Sequence, residues 1–209
     1  MNPRAAQGRG FADFRRYLED NPDATVVEMD SVEGRKGGRL LLTLNLDVCG
    51  LMLAFVRDAN TSRSVIDVLD AIEKAVGLDM FQRLFPVILT DNGTEFSNPD
   101  ALETPLCGEG RRTRVFYCDP YSSWQKPNVE NNHLNIRKIF PKGESMDHVT
   151  QDRVDLAMSH MNSMLRRSLG DVTAIDLFAK CYGEDVLPKL GIVRVAPGDV
   201  RLTPELTRR

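Results

Sequence analysis

Three acidic side chains fall where carboxylates are poorly explained as ordinary surface groups. Asp30 lies inside an apolar run, flanked by Val27, Met29 and Val32. Asp91 follows the compact run Val87, Ile88, Leu89, and Glu130 stands in the first turn of a predicted helix behind a long loop. An ionised carboxylate beside a core strand is costly unless it is paired or binds a cation. Each acid alone has a plain structural account. Asp30 could pair with an arginine, Asp91 could open a turn, and Glu130 could complement the positive end of a helix. Taken together they suit another chemistry. Hard oxygen ligands are what Mg²⁺ or Mn²⁺ requires, and Mg²⁺ is commonly held by few carboxylates plus water and substrate phosphate. No Ser/His/Asp or Cys/His arrangement and no GxxxxGK[ST] loop offers a competing reaction.

The elements that must position these acids follow from periodicity. Thr25 to Val32 reads as a strand rich in β-branched residues, and Glu33 to Gly38 as a polar turn. Leu40 to Leu46 and Leu51 to Val56, separated by a turn containing Gly50, predict a hairpin, so the first three strands form an antiparallel meander. Val65, Val68, Leu69, Ile72 and Val76 recur at helical spacing, which predicts a helix over Ser62 to Val76 with Ser64 and Asp67 as its capping pair. A buried strand then ends in the turn sequence Asp91-Asn92-Gly93, and Ser97 to Gly110 reads as loop. Arg114 to Cys118 is a fifth strand, and Val129 to Phe140 is helical until Pro141 stops it. Beyond that the pattern is mostly helix. Val154, Ala157, Met158, Met161 and Leu165 form one apolar stripe, and Ile175 to Tyr182 a further short helix. The sum is an α/β fold with a five-stranded mixed sheet flanked by helices.

Composition narrows the class without deciding it. The 209 residues are 42% hydrophobic and 27% charged, ordinary for one globular domain. Cys49, Cys107, Cys118 and Cys181 show no paired spacing and read as free thiols, and no apolar run approaches the ~18 residues of a membrane span. A net charge of −3 argues mildly against a nucleic-acid partner. Local basic groups nonetheless occur at Arg111, Arg112 and Arg114, at Lys126, at Arg137 and Lys138, and at Arg166 and Arg167, and each could equally be a solvated face.

Three blocks carry a resemblance. "VVEMDSVEG", "PVILTDNGTEF" and "FYCDPYSSWQKPNVENNH" resemble the catalytic blocks of integrase-core transposases with an Asp-Asp-Glu triad. The chain is most similar to the insertion-sequence family numbered thirty, and the likeness runs on through "IRKIFPKG" and "LRRSLGDVTAIDLF". The resemblance implies a ribonuclease H-like fold in which the first and fourth strands are neighbours and bring Asp30 and Asp91 together, with Glu130 reaching in from its helix. Asp30, Asp91 and Glu130 match the catalytic, metal-binding triad. Asn92, Gly93 and Glu95 match the turn shaping the second acid's surroundings, and Asp119 to Lys126 a mobile loop before the third. Arg137, on the helix face of Glu130 with His133 and Leu134, matches a basic residue contacting the DNA end.

On that likeness the expected activity is transposition of an insertion sequence, by DNA strand cleavage and strand transfer with two Mg²⁺ or Mn²⁺ ions about 3.5–4 Å apart. Lys126, Arg137 and Lys138 would hold phosphates, and Trp124 either stacks on an unpaired base or packs the loop. DNA is the implied partner, with a homo-oligomer in the active complex, and the bacterial cytoplasm at the nucleoid is the implied location. A metal-dependent nuclease on the same fold, and an inactive remnant that only binds DNA or oligomerises, stand as alternatives. Residues 1–20 are expected to be disordered or a short helix, 21–182 the catalytic core, and 183–209 an extended tail. Only about two dozen residues precede the first strand, so the helix-turn-helix domain of such transposases is expected to lie outside this chain.

Overall fold

The computed structural model describes residues 7–207. Its centre is the five-stranded sheet formed by β1 (Val26–Glu33), β2 (Leu40–Leu46), β3 (Leu51–Arg57), β4 (Val87–Thr90) and β5 (Arg114–Tyr117), in the order β3-β2-β1-β4-β5. The first three strands are antiparallel, as the hairpin signals predict, and β4 and β5 run parallel to β1. Every residue of β2 is buried, the polar Thr43 and Asn45 included, so this strand is covered on both faces. Gly50, at φ +67°, supplies the left-handed residue that lets β2 turn into β3.

Helices cover both faces. The predicted helix is present as α2 (Ser62–Val76), with Val65, Val68, Leu69 and Ile72 buried. Its cap differs from the expected one. Thr61 Oγ1 accepts from the Ser64 backbone N–H at 3.2 Å, while the Ser64 hydroxyl donates to Ala59 O and Thr61 O. A second helix that the pattern does not announce, α3 (Leu78–Leu84), follows directly after Gly77.

The segment expected to be loop between Ser97 and Gly110 is pinned instead by buried charge. It contains α4 (Pro99–Glu103), whose Glu103 accepts the Val115 N–H of β5 at 2.8 Å and pairs with Arg9. Just beyond it, Arg112 is 1% exposed and pairs with Asp70 at 2.6 Å and Glu73 at 3.1 Å on α2. Apolar periodicity cannot report an anchor made of ions.

The helix of the third acid is α5 (Pro127–Ile139). After it, α6 (Gln151–Asn162) closes the outer edge of β3 with side-chain amides. Asn162 exchanges two hydrogen bonds with Met52, and Gln151 accepts from Val56 N and donates to Ala54 O. The apolar stripe does not continue to Leu165. That residue, 62% exposed, belongs to a small hairpin of β6 (Leu165–Arg166) and β7 (Val172–Thr173) leading into α7 (Ala174–Tyr182). In the C-terminal stretch, Val186, Leu187, Leu190 and Ile192 enter the main core, and the Val193 and Val195 N–H groups donate to Ser159 and Ser163 hydroxyls.

At the other end, α1 (Phe11–Asp20) packs Phe14 and Tyr17 on Phe116 of β5. Of residues 1–20, expected to be disordered or a short helix, 1–6 lie outside the described residues. Arg9 is held: its carbonyl accepts from Tyr117 N at 2.8 Å and its guanidinium donates to Val115 O. Among the described residues no helix is long and apolar enough to cross a membrane.

Candidate active site

Strand register brings the first two acids side by side. Glu28 of β1 is the parallel partner of Leu89 in β4, and Asp30 and Asp91 each lie two residues further on. Because side chains alternate along a strand, Glu28 and Asp30 share one face of the sheet. That face carries α5. The Glu28 carboxylate accepts the Val129 N–H at 2.5 Å, docking the start of the helix one residue before Glu130. Asp30, Asp91 and Glu130 then line one cavity of about 530 Å³ together with Lys126 and the Cys118–Ser122 loop.

The turn after Asp91 is tightly built. Gly93 N–H donates to Asp91 Oδ1 at 2.8 Å, and Asn92 Nδ2 donates to Cys118 O at 2.6 Å, tying β4's end to that of β5. A Cβ at Gly93 would lie 2.5 Å from Glu95 Oε2 and 3.0 Å from Asp91 Oδ1, so no larger residue fits without moving an acid. Glu95 is buried and accepts from Ser31 Oγ at 2.9 Å; Ser31 in turn accepts from Arg57 Nη2 at 2.6 Å.

Burial raises the Asp91 carboxyl above the ordinary carboxylate range. Lys126 and the Gly93 N–H oppose that rise, while the charges of Asp30 and Glu95 add to it. A cluster of acids in partial burial calls for a cation, and Lys126 supplies one: its ammonium lies 3.0 Å from Asp30 Oδ2 and donates to Met29 O at 3.1 Å. The donor chemistry therefore suits a hard divalent ion. The spacing is looser than the chemistry, because among the described residues no three His, Cys, Asp or Glu side chains are grouped closely enough to hold an ion as they stand.

The other predicted contact residues take varied positions. Lys126 is 2% exposed, within the cavity wall rather than on an open face. Trp124 is 70% exposed, with its ring edge-on to Phe11 at 6.3 Å. Arg137 donates to Glu33 O at 2.7 Å, and exposed Lys138 donates to Asn135 Oδ1 at 2.9 Å. Of the remaining basic groups, Arg112 and Arg166 turn inward to buried partners, which removes both from a nucleic-acid face. Tyr121 sits fully exposed on the cavity rim with a left-handed φ of +59°. The loop that carries it is braced by reciprocal hydrogen bonds between Asp119 and Gln125, both 2.8 Å. Glu28, Ser31 and Arg57 escaped the sequence reading. Period-two spacing from Asp30 could have found Glu28; nothing in the pattern points to Arg57.

Glu28 also yields a pH prediction. Burial, with the Asp47 charge second, pushes its carboxyl up to about 7 against the helix-start N–H that lowers it. A raised carboxyl favours folding below the unfolded value, near 4.5, and that contribution is lost as pH climbs through 7. Glu28→Gln should therefore melt closest to wild type near pH 5, gain on it up to about pH 7, and hold a constant advantage above that. A melting-temperature difference that is constant from about pH 5 to about pH 7 would refute the assignment.

A central parallel β1-β4-β5 group with an antiparallel β2-β3 extension, with one acid inside β1, one just past β4 and one on α5 lining a common cavity, matches the arrangement that a ribonuclease H-like fold implies. No protein-family model matches the chain. It is 26% identical over 192 residues to the transposase for insertion sequence element IS4351 of Bacteroides fragilis, covering 85% of this chain and 54% of that protein. Over 155 residues it is 30% identical to a probable transposase for IS1161 of Streptococcus salivarius, covering 72% of this chain and 40% of that one. A shorter stretch of 56 residues is 38% identical to transposase InsI of IS30A from Escherichia coli K12, covering 27% of this chain and 15% of that protein. Among solved structures, the catalytic core domain of BIV integrase aligns with TM-score 0.49 and 17% identity, over 74% of this chain and 93% of that one. The chain is a homologue of insertion-sequence transposases, with the IS30 type among its relatives. It spans about half the length of the first of them, 54%.

Proposed function

We propose that the chain is the catalytic domain of an insertion-sequence transposase, which cleaves and joins DNA strands with Mg²⁺ or Mn²⁺ held by Asp30, Asp91 and Glu130. The observation that carries this reading is the convergence of three carboxylates, from β1, the turn after β4 and the first turn of α5, on a single cavity. The relatives' names, all transposases or integrases, support DNA as the substrate class.

Two bound ions would supply Lewis acidity and a water of lowered pKa for in-line phosphoryl displacement. Around them the chain's own groups do the positioning. Asn92, Gly93 and Glu95 hold the Asp91 turn, and Glu28 fixes the start of α5. Lys126 would leave Asp30 when a divalent ion arrives, since like charges at that separation repel, and its ammonium would then be free for a DNA phosphate. Arg137 and Lys138 extend the phosphate contacts along α5, and exposed Trp124 offers a stacking surface. Two element ends require two active sites, so the working form is an oligomer, placed at the nucleoid in the bacterial cytoplasm.

Titration with Mn²⁺ followed by calorimetry tests the metal site. Binding that depends on all three acids is expected, and no binding at millimolar Mn²⁺ would leave an inactive remnant as the better reading. A pre-nicked terminal-repeat duplex separates the remaining alternative: cleavage without joining would mean a nuclease.

A further inference from the structure

Glu130 reaches the other acids from a helix, and that helix is held by more than apolar contact. Val129, Ile136 and Ile139 of α5 are buried, but Asn132 shares their face. Its amide is 7% exposed, donates to Asn45 Oδ1 of β2 at 2.6 Å, and accepts from Arg166 Nη1 at 3.0 Å. The same Arg166 nitrogen donates to Gly50 O at 3.1 Å. A buried bridge therefore runs from the turn after β2, through β6, to α5 and back to β2.

Apolar contacts are non-directional and let a helix roll or slide, whereas hydrogen bonds fix both angle and register. Within α5, Asn132 lies two residues from Glu130, so any roll that breaks the bridge also swings the acid. We propose that Arg166 and Asn132 are positioning residues for Glu130, setting the phase of α5 and so the fit of the three acids to a divalent ion. This rests on the metal-binding reading above. It also gives Arg166, one of the basic pairs that composition leaves open, a role inside the protein.

The test is Mn²⁺ affinity by calorimetry on the 209-residue chain, with thermal unfolding alongside. Asn132→Leu and Arg166→Met should each weaken Mn²⁺ binding by about tenfold or more, as loss of groups that orient metal ligands does. Combined with Glu130→Gln, neither should cost anything further, and Arg166→Lys, which can still reach one acceptor, should recover part of the loss. Lower melting temperature with Mn²⁺ affinity within about twofold of wild type would overturn the proposal, because a merely structural bridge behaves that way. If Asn132→Leu does not fold, the two Arg166 variants decide the matter alone. If Glu130→Gln leaves Mn²⁺ binding unchanged, the metal reading itself fails; if it weakens binding and the bridge variants do not, the bridge fails alone.

Discussion

Asp30→Asn, Asp91→Asn and Glu130→Gln should each lower DNA strand transfer by about 10³-fold or more, the equivalent of about 4 kcal/mol in the barrier. The reason is that an amide oxygen is a poor ligand for a hard divalent ion and leaves the transition-state charge uncompensated. Stability should move in the opposite sense for one of them. Burial disfavours the charged form of Asp91, so Asp91→Asn should melt at or above the wild-type temperature at neutral pH. Asp30→Asn leaves the Lys126 ammonium facing the Met29 carbonyl without its carboxylate, and should melt slightly below it. Strand-transfer assays and thermal unfolding on the same preparations separate the two effects. Near wild-type transfer by any one variant would remove that residue from the site.

Arg112→Met should be the most damaging single change far from the acids, at about 3–5 kcal/mol and on the order of 10 °C in melting temperature. The Arg112 side chain is fully enclosed, and Glu73, its partner, is 4% exposed. Removing the cation leaves that carboxylate buried without its pair and strips the Leu102 carbonyl of its 2.8 Å donor. Arg63, paired with Asp67 one helical turn away, is the matched control. Both its side chain and its partner's are largely exposed, so Arg63→Ala should cost well under about 1 kcal/mol. Equal losses from the two substitutions would show that the Arg112 cluster does not anchor the 97–113 segment.

What the sequence made legible was whatever leaves an apolar period. The stripe of α2, the hairpin around Gly50 and the short runs of β4 and β5 all do so, and the sheet follows from them. Two of the acids were legible because Asp30 interrupts the apolar β1 and Asp91 closes the run of β4. Apart from the short helix α3, what stayed hidden was held by charge or by amides. Arg112 and Lys126 look like surface residues in a sequence, since their burial depends on partners remote in the chain: Asp70 and Glu73 for one, Asp30 for the other. The same holds for Asn132 with Asn45. Leu165 misled in the opposite direction, because its place in the stripe of α6 fits helical spacing although Ser163 already ends the helix and β6 begins.

The amides of Gln151 and Asn162 on one margin of the sheet have their counterpart on the other, where Arg9 and Glu103 occupy the outward groups of Val115 and Tyr117. Among the described residues, most outward backbone groups on both flanks of the five-stranded sheet are thus taken, which weakens it as a template for fibril growth. Recognition by strand addition to the five-stranded sheet is disfavoured for the same reason. A selection of peptide ligands against this chain should return helices and loops in preference to extended segments.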